Sequence, residues 1–280
     1  MATPQWLKWG LIMLLCLAVL TGQSWATYRV FTSRFPGGND FYARWANGCE
    51  LIWSGRNPYS DEVTRETQIA MHGRPARAGE DIAAFWYPLY TLFFFWPLCF
   101  IRVYPLVQAI WMTLMLYALL GALILTARVV DWRPPTWLWA VTLIWGVFNY
   151  PHARAVILGQ MATVVFLALA VSLWALARNQ DWLAGALLAA TTIKPQMSFL
   201  LIPWVLWWTA WRRRGGIWKG FSLAMLLLVS ISLVLVPTWI GDFVEDVSTY
   251  RARMRTSVSR NDRAEGLERH QDDKGGANYG

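Results

Sequence analysis

Residues 84–104 read AFWYPLYTLFFFWPLCFIRVY. The run from Ala84 to Ile101 is apolar, but Pro88 and Pro97 punctuate it and Arg102 follows. Proline lacks the amide hydrogen a helix interior needs, so each one ends or kinks a helix. Between the two prolines the run is short for a membrane span, which takes about 20 residues. The residues allow two readings. One is a re-entrant or interfacial segment whose backbone is covered by protein. The other is a short, kinked span. The choice decides on which side of a membrane every later loop falls.

Working outward, the flanking chain is more apolar still. The 280 residues are 56% hydrophobic and include 20 Trp, against about 45–50% apolar in soluble domains. Several runs approach or exceed the roughly 18 residues that mark a span. Spans are expected near 6–26, 105–127, 136–149, 160–177, 182–196, 197–211 and 217–237. The fold class is therefore an all-α polytopic membrane protein, a helix bundle with one long first loop. For residues 6–26, Ser24-Trp25-Ala26 leaves a cleaved signal peptide open, but the later spans favour an uncleaved anchor. The formal charge of +8 sits mostly at helix flanks, which fits membrane orientation and argues against nucleic acid as a partner.

Charge also discriminates between the readings of 84–104. If that segment does not cross, Arg128, Arg133, Arg178, Arg212, Arg213, Arg214 and Lys219 all fall on the cytoplasmic side. The first loop, Arg154, Gln160 and Lys194 then share the other side. If it does cross, the Arg212-Arg213-Arg214 cluster lands outside, against the positive-inside rule. The re-entrant reading is preferred, with the first loop extracytoplasmic.

That loop, 27–83, contains GGNDFYARWANGCELIWSGRNPYS at 37–60. Asn39 is a good N-cap after two glycines. From Asp40 the residues Phe41, Trp45, Cys49, Ile52 and Trp53 recur at helical spacing. An amphipathic helix lying in the bilayer interface with Trp as anchor is expected. Asp40 in its first turn either complements the helix dipole or does chemistry. The stretch from Asp61 to Asp81 is charged and lacks periodicity, and reads as solvated loop. Residues 150–160 read as a second external loop. Lys194-Pro195 breaks a long apolar stretch into a hairpin. Cys16 and Cys99 lie in apolar runs and read as packing residues; no Cys/His cluster suggests zinc. Residues 256–280 read as a disordered polar tail.

Asp40-Phe41 with Arg44, Gly55-x-Asn57-Pro58-Tyr59, Phe85-x-Tyr87-Pro88-Leu89, Gly159-Gln160 and Lys194-Pro195 follow one another in this order. In that order and spacing the chain resembles the membrane glycosyltransferases of family 87, of the architecture called GT-C, over roughly residues 6–250. Leu89 stands where the family's Tyr-Pro-Pro element has its second proline. The resemblance implies transfer of a hexose, with mannose the first candidate, from a polyprenyl-phosphate sugar to a lipid or glycan acceptor. It implies that the first external loop carries the catalytic acid, here Asp40. Such proteins usually carry further C-terminal spans, so a truncated product or a minimal module is also an expected reading.

Such a reaction needs a base for the acceptor hydroxyl and cations for the departing phosphate. A lysine inside an apolar hairpin is a functional candidate, so Lys194 is expected at the phosphate, unless it snorkels to the interface. Arg154 with His152 forms a second candidate group, and Arg44 a third; an arginine holds phosphate oxygens in pairs. Gln160, Tyr87 and Tyr59 are the expected sugar contacts. Trp86 and Tyr90 are further stacking candidates, or belt aromatics. No metal and no cofactor are expected beyond the lipid-phosphate donor, and the partners are membrane lipids, donor and acceptor. A transporter of lipid-linked sugar would present the same groups without reacting.

Overall fold

A computed structural model describes residues 5–35, 37–77 and 80–249; the tail expected at 256–280 lies outside the described residues. The chain is helical, with no strand among those residues. α1 (Gln5–Thr27) runs on as a π-helical turn (Tyr28–Thr32), followed by α2 (Asn39–Trp53) and α3 (Asp61–His72). Two 3-10 segments, Leu89–Phe94 and Trp96–Phe100, lead into α4 (Tyr104–Val129). Then come α5 (Thr136–Phe148), α6 (Tyr150–Leu158), α7 (Ala162–Ala177) and α8 (Asp181–Ala190), which a 3-10 turn (Thr191–Ile193) extends. α9 (Pro195–Ser198), α10 (Leu201–Trp211) and α11 (Gly215–Leu235) follow. Residues 239–249 are helical again.

α1, α4 and α11 are long and apolar enough to cross a membrane, and α6 with α7 makes a fourth candidate bent by 112°. These coincide with the expected spans 6–26, 105–127, 160–177 and 217–237. α5, α8 and α10 are each shorter, as single straight helices, than a hydrocarbon core of about 30 Å at about 1.5 Å per residue. The expected span 182–196 stops as an α-helix at Ala190, and 197–211 begins as a regular helix only at Leu201.

α4 is the centre, packing against α1, α5 and α7; α7 packs on α8, and α8 on α11. At the last contact the two helices touch backbone to backbone. A Cβ on Gly185 would lie 2.1 Å from the Ile217 carbonyl oxygen, and one on Gly220 2.2 Å from that of Trp182. Small residues at a crossing permit this approach between membrane helices.

The first loop is folded onto the bundle rather than spread on a lipid surface. Phe41 and Trp45 are buried, so the tryptophan expected as an interfacial anchor is core. Phe41 stacks on Trp111 of α4 at 4.5 Å and meets Phe95 edge-on. The N-cap of α2 is Gly38, not Asn39; its φ is +67°, and a Cβ there would lie 2.8 Å from the Tyr104 hydroxyl. α2 ends at Trp53, well before Pro58. Cys49 and Cys99 are joined by a disulfide, which replaces the packing role expected of Cys99 and ties α2 to the second 3-10 segment.

The stretch expected to be solvated loop contains α3. Ser60 caps it through the Val63 amide, Gly73 ends it, and its buried stripe is Val63, Thr64, Thr67 and Gln68. Residues 84–104 form no span-length helix. Each 3-10 piece covers only about 10 Å at about 2 Å per residue. Phe85, Leu89, Leu92 and Phe95 are buried, whereas Trp96 and Phe100 are exposed.

Candidate active site

The acid-bearing turn is built by local rules. The left-handed Gly38 turns the chain into α2, and Tyr104 donates its hydroxyl hydrogen to the carbonyls of Gly38 (2.9 Å) and Gly37 (3.2 Å). Asp40 then sits half-exposed in the first turn, where the helix dipole favours a carboxylate. Gln160 reaches it from across the bundle: its Nε2 donates to Asp40 Oδ2 at 2.7 Å. The other carboxylate oxygen has no protein partner among the described residues.

Gly159 makes that reach possible. It ends α6 with φ +70°, and a Cβ there would lie 2.5 Å from the Cβ of Phe41. The indole of Trp111 donates to the Gly159 carbonyl at 3.0 Å. The Gly159-Gln160 pair therefore meets the Asp40-Phe41 pair, glycine against phenylalanine and amide against acid.

Two cations complete the group. Arg44, one helical turn after Asp40, makes no ion pair with it; its guanidinium lies over the Tyr87 ring, 5.2 Å from the centroid. Its Nε and Nη1 are buried without a hydrogen-bond partner. A buried N–H without an acceptor is costly, a cost that an anion would relieve. Lys194 is half-buried at the break before α9, near enough for its charge to interact with Arg44 and Asp40. Pro195 disfavours helical geometry at the residue before it, and Lys194 takes an extended φ of −129°. Asp40, Arg44, Tyr87, Gln160 and Lys194 thus form one cluster.

The other sequence candidates flank this cluster. Residues 150–160, expected as a loop, are largely α6. Its N-cap Asn149 accepts from the His152 amide, and the His152 ring contacts the Gly146 carbonyl at 2.7 Å. Arg154 is exposed and donates to the Tyr150 hydroxyl, with no hydrogen bond or ion pair to the cluster. Tyr59, expected as a sugar contact, is buried and its hydroxyl donates to the Tyr87 carbonyl at 2.6 Å, which makes it a strut under Tyr87. Tyr90 is buried and bonded to Thr192, so it is no belt residue.

Two contributors lay outside the expected set. Tyr104 fixes the turn before Asp40. Gln108 is 1% exposed with neither amide atom partnered, under Gly37 and Gly38. The signal was present: a polar side chain inside an apolar helix is costly to bury without a partner. Beside Gln160 opens a mostly apolar cavity of about 410 Å³, lined also by Leu119, His152, Phe166 and Leu169.

The sequence profile of glycosyltransferase family 87 matches residues 85–268, well over half of the chain. The chain belongs to glycosyltransferase family 87. Comparison with curated proteins and with solved structures finds no match. The matched region contains Tyr87, Gln160 and Lys194; Asp40, Arg44 and Tyr59 precede it. As a family 87 member with membrane-length helices, the chain is a membrane-embedded glycosyltransferase.

Proposed function

We propose that this family 87 chain transfers a hexose, mannose being the first candidate, from a polyprenyl phosphate to a lipid or glycan acceptor, inverting the anomeric carbon. Asp40 is the base. The acceptor oxygen bonds to the anomeric carbon as the carbon–oxygen bond to phosphate breaks. The hydroxyl proton passes to the free oxygen of Asp40. The electron pair leaves with polyprenyl phosphate, whose growing charge Arg44 and Lys194 offset. Gln160 holds the carboxylate in place, and the apolar cavity next to it suits an isoprenoid chain.

The observation that carries this reading is the Asp40–Gln160 bond beside an unpartnered, buried guanidinium and an ammonium. The chain is read as an integral protein of the plasma membrane with this cluster on the extracytoplasmic side. The Cys49–Cys99 disulfide supports that side, because disulfides persist in oxidising compartments. The test is Asp40→Asn in membranes supplied with labelled polyprenyl-phosphate mannose. A fall in kcat of about 10²–10⁴-fold is expected, the usual worth of a positioned general base, with the thermal midpoint retained. Transfer at the parental rate would remove Asp40 from the mechanism.

A further inference from the structure

A second cleft, of about 360 Å³, lies between α2 and α3 and reaches the start of α4. That is within the roughly 300–1,000 Å³ of small-molecule sites. Tyr42, Trp45 and Trp53 line it, with Glu50, Glu66 and Arg102 also at its surface. None of these residues belongs to the Asp40 cluster.

The aromatic lining is rigid. Trp45 and Trp53 meet edge-on at 5.1 Å. Their indoles donate to the carbonyls of Leu98 and Cys99, at 3.3 and 2.6 Å. Both carbonyls belong to the 3-10 segment that the disulfide ties to α2. The polar groups are arranged too. Arg56 binds Glu66 through two hydrogen bonds and also Glu50, and it holds the Glu66 carboxyl below its usual range. Arg56 thereby fixes the positions of both glutamates at the cleft. The Arg102 guanidinium lies 4.2 Å over the Trp53 ring and has no ion pair among the described residues.

Flat rings beside fixed carboxylates and a guanidinium match one class of ligand well. A pyranose has apolar C–H faces that pack on aromatic rings, and a rim of hydroxyls that donate to carboxylates and accept from arginine. We propose that this cleft binds a saccharide, and that the saccharide is the glycan part of the acceptor. The acceptor role rests on the transfer reaction proposed above; saccharide binding does not. Tyr104 joins the two places: its ring lines the cleft and its hydroxyl holds the Gly38 carbonyl, at the N-cap of the turn that carries Asp40. Tyr42 in the cleft is two residues from the acid. The cleft and the acid thus share the first turns of α2.

The experiment uses the full chain purified in detergent, with α1,6-linked mannobiose and mannotriose as probes and isomaltotriose as the comparison sugar. Saturation-transfer NMR reads binding, and labelled transfer reads kinetics. Trp53→Leu and Arg102→Ala are expected to weaken saccharide binding about tenfold or more, and to raise the acceptor KM equally, with the donor KM unmoved. Arg102 is exposed, so its variant answers the question should Trp53→Leu fail to fold. The proposal is overturned if the parent chain takes up none of the three sugars, or if the folded variants bind as the parent does. A rise in donor KM instead of acceptor KM overturns the acceptor assignment. Loss of binding in the variants of a chain that shows no transfer from any donor upholds the sugar cleft and counts against the transfer reading alone.

Discussion

Gln160 donates to Asp40 and at the same time lines the apolar cavity beside it. A hydrogen bond to a charged group is worth about 1.5–3 kcal/mol, so Gln160→Ala is expected to lower kcat by about 10–100-fold. The bond would act by positioning the proposed base, so the loss is expected in kcat with the donor KM little changed. An unchanged rate would show that the bond is incidental. Asp40, Gln160, Arg44 and Lys194 were each legible in the sequence, through polarity in an apolar setting or through the family resemblance. Their grouping was not, because nothing in a linear spacing of 120 residues between Asp40 and Gln160 reports a contact. Arg154 and His152 satisfied the same polarity criterion, but Arg154 bonds Tyr150 of its own helix and His152 contacts Gly146 and lines the apolar cavity beside Gln160. The Cys49–Cys99 pair was missed for the related reason that a separation of 50 residues says nothing of geometry.

At the scale of elements, the crossing of α8 and α11 depends on two glycines that leave no room for a methyl group. Gly185→Ala is expected to force the helices apart and cost about 1–3 kcal/mol, read as a lower thermal midpoint. Gly215→Ala, where nothing lies within 4 Å, is the matched control and should be neutral or mildly stabilising. A second prediction concerns the helical stretch 239–249. It docks on the first loop, where Asn57 donates to Asp242 at 2.7 Å. Burial, with Asp61, Asp242 and Glu245 close by, pushes the Asp246 carboxyl up to about 7. The folded state thus holds a proton that the unfolded chain gives up near the ordinary carboxylate range. Stability gained in this way is lost as pH rises through about 7. The thermal midpoint should be higher at pH 6 than at pH 8, by about 1 kcal/mol of stability for a partly screened group. Asp246→Asn should flatten that difference; an equal difference in both chains would clear Asp246. The long helices were legible from length and hydropathy. α3 was not, because its buried stripe is mostly Thr and Gln, which carry no hydrophobic period. α6 was hidden by its polarity, although Asn149, Pro151 and Gly159 mark its two ends.

For the whole molecule, the outward surface is rich in large apolar side chains. Trp204, Trp207 and Trp211 of α10 are each more than half exposed, and they stand at helical spacing on one face, as in an aromatic belt. With Asp40 and Lys194 in one cluster, the side of the membrane is a property of the whole bundle. In a Cys16→Ser background, which removes the one free cysteine among the described residues, single cysteines at Arg102, Gln196 and Arg213 would report it. Arg102→Cys and Gln196→Cys are expected to react with an impermeant thiol reagent added outside intact cells, and Arg213→Cys only after permeabilisation. Labelling of Arg102→Cys and Gln196→Cys from opposite sides would contradict the shared face.

The bridge between Cys49 and Cys99 carries a consequence for how the enzyme matures. Under the extracytoplasmic placement proposed above, the thiol pair closes only after leaving a reducing interior, and α2 is locked to its platform only once the loop has been exported. Chains retained inside would keep both halves of the machinery yet lack the staple between them. Oxidation then acts as a delivery receipt, and preparations made under strong reductant should yield loosened, poorly active enzyme until air or an oxidant restores the link.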